Sequence, residues 1–140
     1  MYKMKILCDI NIILDVLLKR DNFFKNSYKI FEKINNWEIE WFLSWISIDT
    51  IAYILKRNWK NVSEIKNILK ELLQIFNIAE INKSIILNSL NNDFFDIEDS
   101  IQYESSIYSM CNYIITRNKK DFVWILELDI LTPEEFLKIK

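Results

Sequence analysis

Short apolar runs alternate along the chain with longer segments in which apolar residues recur every three or four positions. The first run, Met4–Cys8, stops at Asp9 and predicts a buried β-strand. The segment after it carries apolar residues at helical spacing, and Asn11 is the expected N-cap of that helix. This succession continues to the end of the chain. Strands that alternate with helices in this way predict an α/β protein with a mostly parallel sheet.

The whole pattern predicts five strands and seven helices. The strands span residues 4–8, 40–43, 78–81, 113–116 and 130–132. The helices begin at Asn11, at residue 27, after Ser47 as N-cap, at Ser63, at residues 83 and 96, and at Pro133. Residues 122–127 fit neither element clearly. Helices on both faces of the sheet give a three-layer α/β/α sandwich, and residues 1–140 form a single domain, because a chain of this length closes one core.

The amino-acid composition excludes several classes of catalytic and metal-binding site. The chain of 140 residues has no histidine and no glycine, which excludes Ser-His-Asp hydrolysis, zinc held by histidine and glycine-rich phosphate-binding loops. Its two cysteines, Cys8 and Cys111, form no CxxC pair, so we expect neither a disulfide framework nor a metal knuckle. Carboxylates remain as the main catalytic groups, and they suit hard cations such as Mg²⁺ or Mn²⁺.

The net charge and the length of the apolar runs limit whether nucleic acid or a membrane can be a partner. The net charge of −2 gives no overall attraction for nucleic acid, so RNA would need local basic patches or a bridging metal. Several basic side chains are candidate phosphate contacts, and the alternative is that they are ordinary solvated surface charges. They are Lys56, Arg57, Lys60, Arg117, Lys119 and Lys120. Apolar runs stay far below the ~20 residues of a membrane span, and acids interrupt the N-terminal segment. We therefore expect a cytoplasmic protein without membrane contact.

Acids and amides stand where predicted strands end or helices begin. They are Asp9, Asn11, Asp49, Asp96, Asp99, Asn118 and Asp121. Ligands of open parallel sheets bind beyond the carboxyl ends of the strands, where the strand order reverses, which singles out Asp9 and residues 117–121. Carboxylates brought together there repel one another unless a cation neutralises them. This chemistry predicts a divalent metal site suited to phosphodiester hydrolysis.

Four blocks of sequence resemble the PIN domain, the fold of metal-dependent ribonucleases that includes VapC-type toxins. The blocks are residues 5–20, which contain Cys-Asp-Ile-Asn, residues 96–103, residues 113–122, which contain Ile-Thr-Arg-Asn, and residues 131–137. They keep the order of the family and roughly its spacing, so the resemblance spans nearly the whole chain. It implies a ribonuclease fold with an acidic metal site.

The resemblance also assigns roles to residues. It implies metal binding by Asp9 and by Asp99 at a helix start, with Asn118 where the family carries Asp or Asn. Asp121 precedes the aromatic residue of the family, and Asp96 matches an acid of one branch. We expect Asp96 and Asp121, with Asp49, to complete the acidic shell or to orient the attacking water.

One position departs from the family. The second acid of the family falls at position 50, where this chain has Thr50, and Asp49 lies one residue earlier. One step along a helix turns a side chain by about 100°. Either a shifted register carries Asp49 into the site, or that ligand is lost.

Each candidate also has a structural interpretation. Asp9 and Asp96 are typical helix N-caps, and Asn118 and Asp121 are typical turn residues. Asp15 is interpreted as structural, paired with Lys19 or Arg20. Trp37, Trp41, Trp45 and Trp59 either fill the core or line a groove for a partner.

The expected function is metal-dependent cleavage of RNA by the toxin of a type II toxin–antitoxin pair. RNA is the expected substrate, an antitoxin the expected protein partner, and a homodimer a further expectation. The alternative is an eroded module of the same fold that binds protein or RNA without cleavage, which the threonine at position 50 favours. A phospho-acceptor domain using Asp9 would leave the other blocks unexplained.

Overall fold

The computed structural model describes residues 2–94, 96–122 and 127–139. In these residues five strands form the sheet: β1 (Met4–Cys8), β2 (Ile39–Ser44), β3 (Asn77–Ala79), β4 (Tyr113–Ile115) and β5 (Asp129–Leu131). The described helices are α1 (Ile10–Leu17), α2 (Phe24–Glu32), α3 (Trp45–Arg57), α4 (Val62–Ile75), α5 (Lys83–Leu90), α6 (Ile97–Tyr108) and α7 (Pro133–Leu137). Short 3-10 turns lie at Lys33–Asn35 and Lys119–Phe122, and most of the ambiguous segment 122–127 lies outside the described residues.

All four strand pairings are parallel, in the order β3-β2-β1-β4-β5. β1 is central, with Ile6 opposite Trp41 of β2 and Tyr113 of β4. The chain adds β2 and β3 on one side of β1 and then crosses back to β4 on the other side. The strand order therefore reverses between β1 and β4, and a crevice opens beyond their carboxyl ends.

The two faces of the sheet bury separate apolar cores, because successive side chains of a strand point to opposite faces. Ile6 and Cys8 belong to the core covered by α1, α2, α3, α4 and α7. Leu7 belongs to the opposite core, together with Tyr103 of α6, and α5 packs against α6. The predicted three-layer α/β/α sandwich with a parallel sheet is confirmed.

Two helix starts differ from the predictions because a neighbouring residue occupies the cap position. α1 has Asp9 as its N-cap residue rather than Asn11, whose side chain binds the Asp9 carboxylate. α4 begins after Asn61 rather than at Ser63. Asn61 Oδ1 accepts from the Glu64 backbone N–H at 2.9 Å, and the Glu64 carboxylate accepts from the Asn61 N–H at 2.8 Å. This reciprocal capping box places Ser63 inside the helix.

The start of α3 also differs from the prediction. β2 runs directly into α3, with Ser44 as N-cap residue, so Ser47 lies buried in the first turn instead of capping it. The core-facing positions of α3 are Ser47, Ile51 and Leu55. α2 likewise begins at Phe24, earlier than predicted. Among the described helices, none is long and apolar enough to cross a membrane.

Candidate active site

Asp9 ends β1 at the point where the strand order reverses. Its backbone N–H donates to the Ile115 carbonyl of β4 at 2.9 Å, and its carbonyl accepts from the Ile12 N–H at 3.1 Å. Although Asp9 is the N-cap residue of α1, its side chain makes no capping hydrogen bond to that helix. The residue is 6% exposed. Its carboxylate is therefore buried, and it does not cap α1 through a side-chain hydrogen bond.

Neutral donors orient the Asp9 carboxylate. Thr116 Oγ1, directly after β4, donates to Asp9 Oδ2 at 2.6 Å, and Asn11 Nδ2 donates to the same oxygen at 3.0 Å. Thr116 Oγ1 also accepts from the Asn118 backbone N–H at 3.0 Å. The backbone N–H of Arg117 approaches Asn11 Oδ1 at 3.4 Å. The end of β4 and the start of α1 thus fix the carboxylate through Oδ2, and neither Thr116 nor Asn11 uses Oδ1.

Burial raises the pKa of Asp9 above its usual value, because little water remains to solvate the charged form. The hydrogen bond from Thr116, the nearby Gln102 amide, the Ile10 backbone N–H and the charge of Arg117 lower this pKa without cancelling the effect of burial. The site therefore holds a desolvated carboxylate whose directly bonded side-chain donors are neutral. A cation is the partner that such a group lacks.

α6 brings a second group of acids to the crevice. Asp96 is the N-cap residue, and its Oδ1 accepts from the Asp99 backbone N–H at 2.9 Å. Burial first, and then the charges of Asp96, Asp9, Asp121 and Glu98, raise the pKa of Asp99 to about 7. The structure thus brings Asp9, Asp96 and Asp121 within electrostatic reach of Asp99.

Glu98 is a member of this group that the sequence analysis did not select. Its side chain is exposed, yet partial burial and the charges of Asp96 and Asp9 raise its pKa. The available signal was its position in the first turn of α6, directly before Asp99. A charge there lies close enough to Asp96 and Asp9 to interact with both.

The loop after β4 carries the remaining candidates. Asn118 and Asp121 are both exposed, and the Asp121 backbone N–H donates to the Asn118 carbonyl at 3.0 Å. Asp121 contributes its charge to the raised pKa of Asp99. Asn118 is tied to the Asp9 network through its backbone bond to Thr116, while its role as a metal ligand stays a prediction.

Asp49 stands apart from this group. It is exposed on α3, Thr50 is half-buried, and Asp49 is not among the charges that raise the pKa of Asp99. The described geometry does not bring Asp49 together with the other acids. Its catalytic role stays a prediction.

The donor set fits a hard divalent cation that keeps part of its water shell. Across the described residues, no group of three or more acidic or cysteine side chains is placed to hold a metal ion. Mg²⁺ does not need one, because it commonly binds through one or two carboxylates and retains several waters. Burial and the negative charges of the neighbouring acids raise the pKa of Asp99. A bound cation would neutralise that excess of negative charge.

Arg117 has a structural role that the sequence did not reveal. Asp15 is fully buried, accepts from Ser27 Oγ at 3.0 Å, and lies 2.7 Å from Arg117 Nε. This Nε contact is an ion pair by distance rather than an aligned hydrogen bond. Arg20 forms a second ion pair with Asp15 at 3.5 Å, as predicted, and the Arg117 guanidinium stacks 3.8 Å from the Phe23 ring centroid. Arg117 thereby ties the loop after β4 to Asp15 of α1 and to Phe23.

The fold and the site define a class of α/β proteins with an acidic crevice at the end of β1. The sequence profile of the PIN domain family matches residues 5–120. Ribonuclease VapC1 of Aquifex aeolicus (strain VF5) is 30% identical over 135 residues, which are 94% of this chain and 92% of the relative. The chain belongs to the PIN domain family, as the sequence blocks predicted.

Two solved structures share the fold. VapBC2 from Rickettsia felis, bound to a DNA fragment from its promoter, has a TM-score of 0.67 at 15% identity, covering 92% of this chain and 98% of that chain. VapBC-1 from nontypeable Haemophilus influenzae also has a TM-score of 0.67, at 16% identity, covering 94% of this chain and 99% of that chain. At such identities the likeness is one of fold.

Proposed function

We propose that the protein is a metal-dependent endoribonuclease and the toxin of a type II toxin–antitoxin pair. The observation that carries this proposal is the buried Asp9 carboxylate within electrostatic reach of Asp99, whose pKa is raised to about 7. The 30% identity with Ribonuclease VapC1 supports RNA as the substrate. The cytoplasm is the location we propose with that substrate.

Each acid of the site has a proposed task. A bound Mg²⁺ or Mn²⁺ would supply an acidified water and screen the charge of the scissile phosphate. Asp9 and Asp99 would hold the cation, with Asn118 as a further ligand. Thr116 and Asn11 keep Asp9 in one orientation, so little rotational freedom is lost when it binds.

The outer acids would act on the attacking water. Asp96 and Asp121, which lie within reach of Asp99, would orient it for in-line attack on the phosphodiester. Asp49 on α3 is proposed as a more distant member of this shell. Replacement of Asp49 by Asn is expected to change cleavage less than replacement of Asp99 by Asn.

We propose a protein antitoxin as the partner, because both similar structures are of VapBC proteins. The surface offers aromatic side chains for such a contact: Trp37, Trp45 and Trp59 are 61%, 62% and 96% exposed, whereas Trp41 is buried in the core. Trp45 also borders a cavity of about 370 Å³ with Ile78 and Ile81. Co-purification with the product of an adjacent short reading frame tests this partner, and light scattering tests a homodimer.

Cleavage of a mixed RNA substrate with and without Mn²⁺ tests the activity. The wild type is expected to cleave only with the metal, and Asp9→Asn is expected to abolish cleavage. Asp129→Asn is the matched control. This exposed aspartate is the first residue of β5, so it lies at the amino end of the parallel strands, whereas Asp9 follows the carboxyl end of β1. Metal-independent cleavage, or equal loss in both variants, would contradict the proposal.

The second candidate is a PIN-fold module that binds RNA or protein without cleaving it. The exposed position of Asp49 and the threonine at position 50 favour it. In that case the wild type would bind RNA in a gel-shift assay and leave it intact at every metal concentration. Thr50→Asp would then restore cleavage if the missing acid were the only defect.

A further inference from the structure

Gln102 is a buried polar residue of α6 for which the described structure provides no hydrogen bond to its amide nitrogen. The residue is 3% exposed, and Nε2 has no partner among the described residues. Other buried polar side chains of α6 are satisfied: Ser100 Oγ donates to the Ser89 carbonyl at 2.8 Å, and Ser106 Oγ to the Tyr103 carbonyl at 2.6 Å. Since buried donors are nearly always paired, the unpaired amide of Gln102 indicates a partner that binds there.

The Gln102 amide is directed toward the acidic site. Gln102 follows Asp99 by three residues, so the two side chains lie on the same face of α6. Its amide is close enough to Asp9 to lower the pKa of that carboxyl as a hydrogen-bond donor. The contact nevertheless falls short of a formed hydrogen bond. The amide thus lies beside Asp9 and reaches it from α6.

We propose that Gln102 is a positioning residue that donates from Nε2 to the Asp9 carboxylate when a divalent cation occupies the site. This inference rests on the proposed metal-dependent function. Thr116 and Asn11 bind Oδ2 from the side of the sheet and of α1, and Gln102 completes the set from α6. An ionised carboxylate has about four lone-pair positions, so it accepts a third donor and still binds a metal. A neutral amide suits this place, because it adds no further charge to the acidic group.

If Gln102 positions Asp9, replacing Gln102 should weaken metal binding without lowering the stability of the fold. Gln102→Met keeps the approximate length of the side chain and removes the donor. The melting temperature without metal is expected to stay equal or rise, because an unpaired buried amide has been replaced by an apolar group. Mn²⁺ affinity, measured by calorimetry at constant pH, is expected to fall about 10-fold or more, as for other partners of metal ligands. At saturating Mn²⁺ the KM for RNA is expected to stay unchanged.

Controls make each result decisive. Ser106→Ala removes a buried hydroxyl of the same helix away from the site and is expected to leave Mn²⁺ affinity unchanged. Gln102→Leu is a second apolar replacement in case the methionine variant does not fold. Unchanged Mn²⁺ affinity in the folded Gln102 variants would overturn the proposal, and so would a raised KM alone, which would place the amide on the RNA phosphate.

The proposal and the function on which it rests fail in different ways. If the wild type binds Mn²⁺ and Asp9→Asn does not, while the Gln102 variants match the wild type, only the role of Gln102 is refuted. If the wild type itself binds no Mn²⁺, both the metal-dependent function and the role of Gln102 are refuted. Reduced Mn²⁺ affinity in the Gln102 variants with preserved stability would support both.

Discussion

Asp9 and Asp15 are two buried aspartates at opposite ends of α1, and their surroundings differ in one respect. Asp15 is fully buried against the guanidinium groups of Arg117 and Arg20 and accepts from Ser27 Oγ. Asp9 is almost as buried, but its hydrogen bonds come from the neutral side chains of Thr116 and Asn11. The charge of Asp15 is paired with two guanidinium groups, whereas among the described residues no cationic side chain contacts the Asp9 carboxylate directly.

On the proposed function, this contrast distinguishes a structural acid, Asp15, from a metal-binding one, Asp9. A buried charge is tolerated when it is paired, and breaking such a pair destabilises the fold. A buried charge held only by neutral donors keeps a raised pKa, as Asp9 does, and lowers stability until a cation binds. Removal of the two carboxylates should therefore have opposite consequences for stability and activity.

The largest expected effect is the loss of RNA cleavage in Asp9→Asn. The amide removes an anionic ligand, so activity with Mn²⁺ should fall more than about 100-fold, beyond the typical cost of losing a partner of a metal ligand. Stability without metal should stay equal or rise, because one repelling charge is gone. Cleavage assays and melting curves check the two effects, and a less stable variant with normal cleavage would reverse the roles assigned to the two aspartates.

Asp15→Asn should show the opposite behaviour. It leaves Arg117 and Arg20 without their anion, and we expect a loss of about 2–3 kcal/mol in the free energy of unfolding. This is below the ~3–5 kcal/mol of fully buried pairs, because both arginines keep some contact with water. Urea denaturation measures it. A variant as stable as the wild type would show that the Asp15 ion pairs contribute nothing net.

The pH dependence of stability should reflect Asp99. Its pKa rises from 3.8 to about 7 on folding, so between these values the folded state binds more protons than the unfolded one. Stability without metal should therefore fall as pH rises from about 4 to 7, contrary to the trend of an ion-paired carboxylate. Asp99→Asn should flatten this slope in melting curves recorded across the range. An identical slope in the variant would assign the effect to other groups.

The smallest effect is expected at a surface ion pair. Lys119 Nζ lies 2.9 Å from Glu135 Oε1, but both side chains are more than two-fifths exposed, at 47% and 42%. Lys119→Ala should cost less than about 1 kcal/mol of stability. If cleavage falls while stability does not, Lys119 also contacts RNA phosphate, as the sequence suggested.

Local patterns were sufficient to predict the fold and the positions of several acids at strand and helix ends. The apolar run of β1 that stops at Asp9 predicts both a buried strand and an acid at its carboxyl end, because both follow from neighbouring residues. The N-cap Asp96 is predictable for the same reason, since its bond to the Asp99 backbone spans three residues. Asp9 and Asn11 are both good cap formers, so the sequence could not decide which one begins α1.

Long-range packing explains what the sequence analysis missed. Arg117 and Asp15 are 102 positions apart, and only the adjacency of β1 and β4 brings them together. The unpaired amide of Gln102 depends on how α6 lies against the end of β1, which residue spacing does not encode. The exposure of Asp49 follows from the packing of α3, which turns Ser47, Ile51 and Leu55 toward the core.

The change in melting temperature on addition of Mn²⁺ at pH 7 tests the central claim most directly. Metal at 100 times its dissociation constant should add about 2.7 kcal/mol of stability to a protein with one such site. We expect a clear rise for the wild type and for Asp15→Asn, and no rise for Asp9→Asn. An equal rise in Asp9→Asn, or none in the wild type, would contradict the claim that Asp9 is buried without a cationic partner because it binds a metal.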